Sequence, residues 1–127
     1  MGPRAVKKKI LIVDDEQSIT SLLKFALEKT EIYEVTGENE GTKTLALIRS
    51  VRPDLLILDV NMPDANGAEI AAAVKADAST RALPIIFLTG NVTDEEAAAG
   101  LTIGGYPALG KPINMERLLE HIQKSLK

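Results

Sequence analysis

The 127-residue chain is predicted to be an α/β domain, with a parallel sheet covered by helices on both faces. Three short runs are apolar throughout: ILIV at 10–13, LLIL at 55–58 and IIFL at 85–88. Continuous rather than alternating apolar runs mark strands buried on both sides. Segments with helical spacing lie between them, and such alternation closes through right-handed crossovers into a parallel sheet.

Taken in order, ILIV is followed by Ile19, Leu22, Leu23, Ala26 and Leu27, whose i, i+3, i+4, i+7, i+8 spacing makes one apolar helix stripe. A weaker strand fits 33–36. Leu45, Ala46, Ile48 and Val51 suggest a second helix, closed at Arg52-Pro53 because the residue before a proline avoids helical geometry. A third helix fits 68–76. A fourth is expected over 94–101, with Thr93 as N-cap and Asp94, Glu95 and Glu96 suiting its first turn. A weak fifth strand falls around Ala108 and Leu109. The last helix starts at Met115, capped by Asn114, with Leu118, Leu119, Ile122 and Leu126 on one face. No internal repeat, low-complexity tract or linker interrupts the pattern, so a single domain is expected over 1–127, its core about 8–126.

Composition excludes several functions. A formal charge of −3 with two tyrosines, two phenylalanines and no tryptophan gives neither a basic footprint nor stacking platforms for nucleic acid. No cysteine is present, which rules out disulfides and thiolate metal sites. Arg4 and Lys7 to Lys9 before ILIV imitate a signal peptide, but the apolar run stops at Asp14, short of the ~7–15 residues required. Met1-Gly2 is not a myristoylation signal, since Val6 stands where serine or threonine is needed. No stretch approaches the ~20 apolar residues of a membrane span. A soluble cytoplasmic protein without membrane insertion is expected.

In parallel α/β sheets, ligands bind at the carboxyl ends of the strands. After ILIV come Asp14, Asp15 and Glu16; after LLIL comes Asp59; after IIFL comes Thr89; after the weak last strand comes Lys111. Three carboxylates, a hydroxyl and an ammonium should therefore share a pocket. Clustered carboxylates resist ionisation unless a cation neutralises them, and a hard oxygen site with open positions suits Mg2+. The stretch GYPALGKP (105–112) imitates a nucleotide-binding loop, G-x-x-x-x-G-K-[ST]. Pro112 replaces the final hydroxyl residue, and Pro107 and Pro112 each remove a backbone N–H, so that reading fails.

ILIVDDE, LLILDVNMPDANG, IIFLTG and GKP, in this order and spacing, resemble the motif set of a response-regulator receiver domain of two-component signalling, over nearly the whole chain from Lys8 to Leu126. The resemblance implies a flavodoxin-like fold of five parallel strands in the order 2-1-3-4-5. It implies that Asp59 accepts a phosphoryl group from a phosphohistidine. Asp14, Asp15, Asp59 and the backbone carbonyl of Asn61 would hold Mg2+, Lys111 would pair with a phosphoryl oxygen, and Thr89 would hydrogen-bond another. Met62-Pro63 and Gly67 match the loop after the acceptor, Gly90 leaves room beside the acyl phosphate, and Lys111-Pro112 is commonly cis in the family. Asn61 and Asn91 match positions that tune phosphoryl lifetime. A histidine kinase or phosphotransfer protein is implied upstream and a protein target downstream, with no direct nucleic acid. The domain would catalyse only its own phosphorylation and dephosphorylation.

One position departs from the pattern. Receivers usually carry tyrosine or phenylalanine three residues before the lysine, where this chain has Ala108; Tyr106 lies two residues further back. Either Ala108 merely smooths the face of the fourth helix, fifth strand and last helix, or threonine–aromatic coupling is absent. An aspartate-nucleophile phosphohydrolase is the enzymatic alternative, but such enzymes usually need an acid where Asn61 stands. A phosphorylation-independent interaction domain is the third reading, disfavoured by the intact acidic set. His121, the only histidine, reads as a surface or partner-facing residue, since one histidine cannot build a metal site.

Overall fold

The structure, a computed structural model, describes residues 6–90 and 100–127. Its elements run β1 (Lys8–Val13), α1 (Gln17–Glu28), β2 (Tyr33–Glu38), a 3-10 turn (Gly41–Lys43), α2 (Thr44–Val51), β3 (Leu55–Asp59), α3 (Gly67–Ala76), β4 (Ile85–Thr89), β5 (Thr102–Ile103), β6 (Tyr106–Gly110) and α4 (Met115–Ser125). The sheet order is β2-β1-β3-β4-β6-β5. All pairs are parallel except β5 with β6, which is antiparallel.

Alternation along the central strands sorts the core into two layers. Ile10, Ile12, Leu55, Ile57, Ile86 and Leu88 face Leu23 and Leu27 of α1 and Leu118 and Ile122 of α4. Leu11, Val13, Leu56, Leu58, Ile85 and Phe87 face Ile48 of α2 and Ala71 and Val74 of α3. Because both faces of β1, β3 and β4 are covered, no polar alternation remains in their sequence. The runs at 10–13, 55–58 and 85–88 are fully inside.

Several helix details follow from local chemistry. Asn66 caps α3 by accepting the N–H groups of Ala68 and Glu69, and Asn114 caps α4 by accepting that of Arg117. Both satisfy donors that a helix start leaves without intrahelical partners. Arg52 ends α2 in the left-handed region, φ +52°, and its N–H donates to the Ile48 carbonyl, just before Pro53, which cannot continue a helix. The apolar stripes are narrower than their spacing suggests. Leu22 is 61% exposed, and α2 turns Thr44 and Ile48 inward rather than Leu45 or Ala46.

The five parallel strands keep the expected relative order, but the sheet has a sixth, two-residue strand at its edge. Gly104 and Gly105 take φ of +57° and +87°, and Ile103 pairs with Tyr106 across them. Two successive positive φ values define a type I′ turn, whose twist matches a two-residue hairpin and which glycine adopts without strain. Of the helix expected over 94–101, residues 94–99 lie outside the described residues. Its last two positions are not helical: Gly100 has φ +82°, and the Leu101 carbonyl accepts the Ala108 N–H at 2.9 Å, as a strand residue would.

The hairpin places Tyr106 over α3. Its ring meets Phe87 edge to face, centroids 6.1 Å apart at 70°, and Lys75 Nζ lies 5.6 Å from its centre. Ala108, which pairs with Phe87 in the sheet, is buried with a small side chain beside them. Tyr106→Ala is expected to lower stability by about 2 kcal/mol, since ring contact and burial are both lost. Tyr106→Phe should cost less than half of that in urea unfolding. Equal losses would assign the contribution to the hydroxyl instead of the ring.

Candidate functional site

Asp14, Asp59 and Lys111 continue the alternation that sends Ile10 and Ile12, Leu55 and Ile57, and Leu109 to one face of the sheet. The neighbouring strands β1 and β3, and β6 one strand beyond β4, thus deliver them to the same carboxyl edge. Thr89 continues the opposite face, after Ile85 and Phe87.

Asp14 and Asp59 are buried at 0% and 3% exposure, whereas Asp15 is exposed. Ligand oxygens of Asp14, Asp15 and Asp59 lie within 4.8 Å of one another. Lys111 Nζ stands 2.9 Å from Asp14 Oδ2, 3.1 Å from Glu16 Oε1 and 3.4 Å from Asp59 Oδ2. The Asp14 contact is an ion pair lying off hydrogen-bonding geometry. Asp14 Oδ2 therefore has no hydrogen-bond partner among the described residues, while Oδ1 accepts the Glu16 N–H at 2.8 Å.

The electrostatics follow from this crowding. Burial, then the Asp14 charge and the Asp15 carboxyl, push Asp59 up to about 6, against the opposing pull of Lys111 and the Asn61 N–H. Burial works against the Lys111 ammonium, but its contacts with Asp14 and Glu16 and the Asp59 charge outweigh that, holding it above its ordinary value. The pocket thus stores negative charge that one ammonium only partly offsets.

Of the residues expected from sequence, Asp14, Asp15, Asp59 and Lys111 come together directly. Thr89 is buried at the end of β4, and its carbonyl accepts the Lys111 N–H at 2.9 Å. Asn61 is exposed; its N–H reaches Asp59 Oδ1 at 3.3 Å, and it bridges to Asn66 across the loop. Gly67 N–H donates to the Val60 carbonyl at 2.8 Å, drawing α3 tightly onto the end of β3. The Lys111-Pro112 peptide is cis, and a Cβ at Gly90 would meet nothing within 4 Å. Asn91 lies outside the described residues.

Sequence reading gives Glu16 no role and misses both Asn39, which donates to the Asp14 carbonyl oxygen, and Asp64, which accepts the N–H groups of Gly41 and Thr42 from the loop after β3. Asn39 follows β2, so the same strand-end rule, applied to the second strand, finds it. Asp64 has no comparable signal.

Comparison with known proteins shows the family. A family described as response regulator receiver domain matches residues 10–123, and the chain belongs to that family of two-component signalling proteins. It is 36% identical over 119 residues to the nisin biosynthesis regulatory protein NisR of Lactococcus lactis subsp. lactis, covering 94% of this chain and 50% of that protein. It is 29% identical over 122 residues to the DNA-binding response regulator MtrA of Mycobacterium leprae, covering 96% and 52%. The chain spans about half the length of these curated relatives. Among solved structures, the chemotaxis response regulator CheY4 of Vibrio cholerae superposes with a TM-score of 0.80 at 35% identity, over 95% of this chain and 100% of that one. Among the described residues, no helix is long and apolar enough to cross a membrane.

Proposed function

We propose that this chain is a single, cytoplasmic phosphoacceptor unit that takes a phosphoryl group on Asp59 from a phosphohistidine of a kinase or phosphotransfer protein. The observation that carries the reading is the placement of Lys111 Nζ 3.4 Å from a buried Asp59 carboxylate, with Asp14 and Glu16 as its other carboxylate partners. An ammonium beside one carboxylate is an ion pair; one held by three carboxylates is poised to exchange partners with an incoming phosphoryl oxygen.

The residues fit Mg2+. The donor set is all oxygen, mutually repulsive and open to solvent through Asp15, and Asp14 Oδ2 has a lone pair with no hydrogen bond. Asp14, Asp15, Asp59 and the Asn61 carbonyl are the residues proposed to hold it, and when bound it supplies positive charge to the transferring group. In the transfer, an Asp59 oxygen bonds to phosphorus as the P–N bond breaks, and the departing imidazole takes a proton from solvent. Lys111 offsets the charge on the phosphoryl oxygens, and Thr89 is proposed to donate to one of them.

Phosphorylation by acetyl phosphate in Mg2+, followed by intact mass, tests this. Wild type is expected to gain one labile phosphoryl group and Asp59→Asn none; equal gain by both would remove Asp59 from the role. The mild negative charge argues against DNA binding by this chain's own surface. Because one relative is a DNA-binding response regulator, the output is proposed to run through a protein contact that, in such systems, ends on DNA. The expectation of no nucleic acid is thereby restricted to this chain.

A further inference from the structure

The junction between β2 and α2 is tied on one side to Asp14 at the end of β1 and on the other to the loop that follows Asp59 and Asn61. Asn39 Nδ2 donates to the Asp14 carbonyl oxygen at 2.8 Å and to Thr20 Oγ1 at 3.0 Å. From the loop between β3 and α3, Asp64 Oδ1 accepts the Gly41 N–H at 3.2 Å, and Oδ2 accepts that of Thr42 at 3.1 Å. The junction is braced within itself: Glu38 Oε2 accepts the N–H groups of Asn39 and Glu40, and Thr44 Oγ1 donates to the Gly41 carbonyl at 2.7 Å. The loop also lies directly on Gly41, where a Cβ would come within 2.8 Å of both Ala65 Cβ and Met62 Cε.

One wall of the pocket, Asp14 and Asp15, follows β1. The other, Asp59 and Asn61, belongs to β3 and its loop. Three carboxylates must be held close against mutual repulsion before any cation arrives, so whatever fixes the two walls relative to each other sets the affinity. The β1–β3 pairing sets the two walls side by side; we propose that Asn39 and Asp64 are positioning residues for Mg2+ binding, bracing beyond the strand ends, through the β2–α2 junction, the two loop segments that carry the ligands. This rests on the function proposed above.

The test is Mg2+ titration followed by backbone amide shifts, with phosphorylation by acetyl phosphate measured at saturating Mg2+. Asn39→Ala and Asp64→Ala are each expected to weaken Mg2+ binding about tenfold, while the rate at saturation stays within about twofold, the pattern of lost binding rather than lost chemistry. Asp64→Asn keeps an acceptor oxygen for only one of the two amides and sets an NH2 donor against the other, so it should recover part of the affinity at most, falling between alanine and wild type, which also covers the case of a poorly folded alanine variant. Thermal unfolding in EDTA runs alongside. Lower stability with wild-type Mg2+ affinity would overturn the proposal and leave Asn39 and Asp64 as purely structural. Absence of Mg2+-dependent shifts near Asp14, Asp15 and Asp59 in wild type would instead overturn the functional reading itself.

Discussion

Asp59→Asn is expected to unfold at higher urea concentration than wild type at pH 8 in EDTA, and at nearly the same concentration at pH 3.5. In the folded protein Asp59 titrates at about 6, against an ordinary value of 3.8, so the native state binds this proton more tightly than the unfolded chain. Stability from this group is therefore present in acid, falls as pH rises between 3.8 and about 6, and is fully lost above. The shift corresponds to about 3 kcal/mol. Asparagine removes the charge while keeping shape. Lys111 loses one carboxylate but retains Asp14 and Glu16, so a net gain of about 2 kcal/mol is expected at pH 8. A gain of equal size at both pH values would show that packing, not charge, is responsible. The same substitution that is expected to prevent phosphorylation should thus stabilise the metal-free fold, as expected where like charges are gathered for chemistry.

Gly67→Ala should do the reverse. A Cβ there would overlap the Asp59 carbonyl oxygen and stand 2.9 Å from Val60 Cα. These are main-chain atoms at the end of a central strand, with no flexible side chain to give way. Either α3 slides outward, breaking the Gly67 N–H bond to the Val60 carbonyl, or β3 shifts against β4. A loss of about 3 kcal/mol is expected, equivalent to roughly 1–2 M in urea midpoint. Because the displaced atoms carry Asp59, acceptance of phosphoryl from acetyl phosphate should fall as well, even at temperatures where the variant is folded. A variant with native stability and native phosphorylation would mean that the α3 approach is much softer than the backbone contact implies.

The sheet and the pocket could be read from the chain for one shared reason. Burial on both faces forces continuous apolar runs, and the first polar residue after each run marks a strand end, so Asp14, Asp59 and Thr89 announce themselves. What sequence missed is of a different kind. The β5–β6 hairpin contains a strand too short to show any period, and its signal, Gly104-Gly105, was overshadowed by the likeness of GYPALGKP to a nucleotide loop. Leu22 satisfies helical spacing yet faces out, because α1 turns Thr20, Leu23 and Leu27 toward the sheet. Asn39 and Asp64 act through hydrogen bonds to main-chain groups 25 and 23 residues away; position after β2 can point to Asn39, but main-chain partners leave no trace in residue identity, and nothing points to Asp64.

The two-residue strand β5 has a bearing on how this molecule behaves among its own copies. An open parallel sheet ends in unpaired main-chain groups that invite a neighbour to add on, the first step toward fibrous aggregates. On one flank β5 runs counter to the rest, turns back after two residues and leans on a proline-bearing partner, Pro107. On the other, β2 carries Glu34 and Glu38. Both margins are poor templates, so the hairpin also serves as a selvedge that finishes the sheet and keeps it from unravelling into its neighbours.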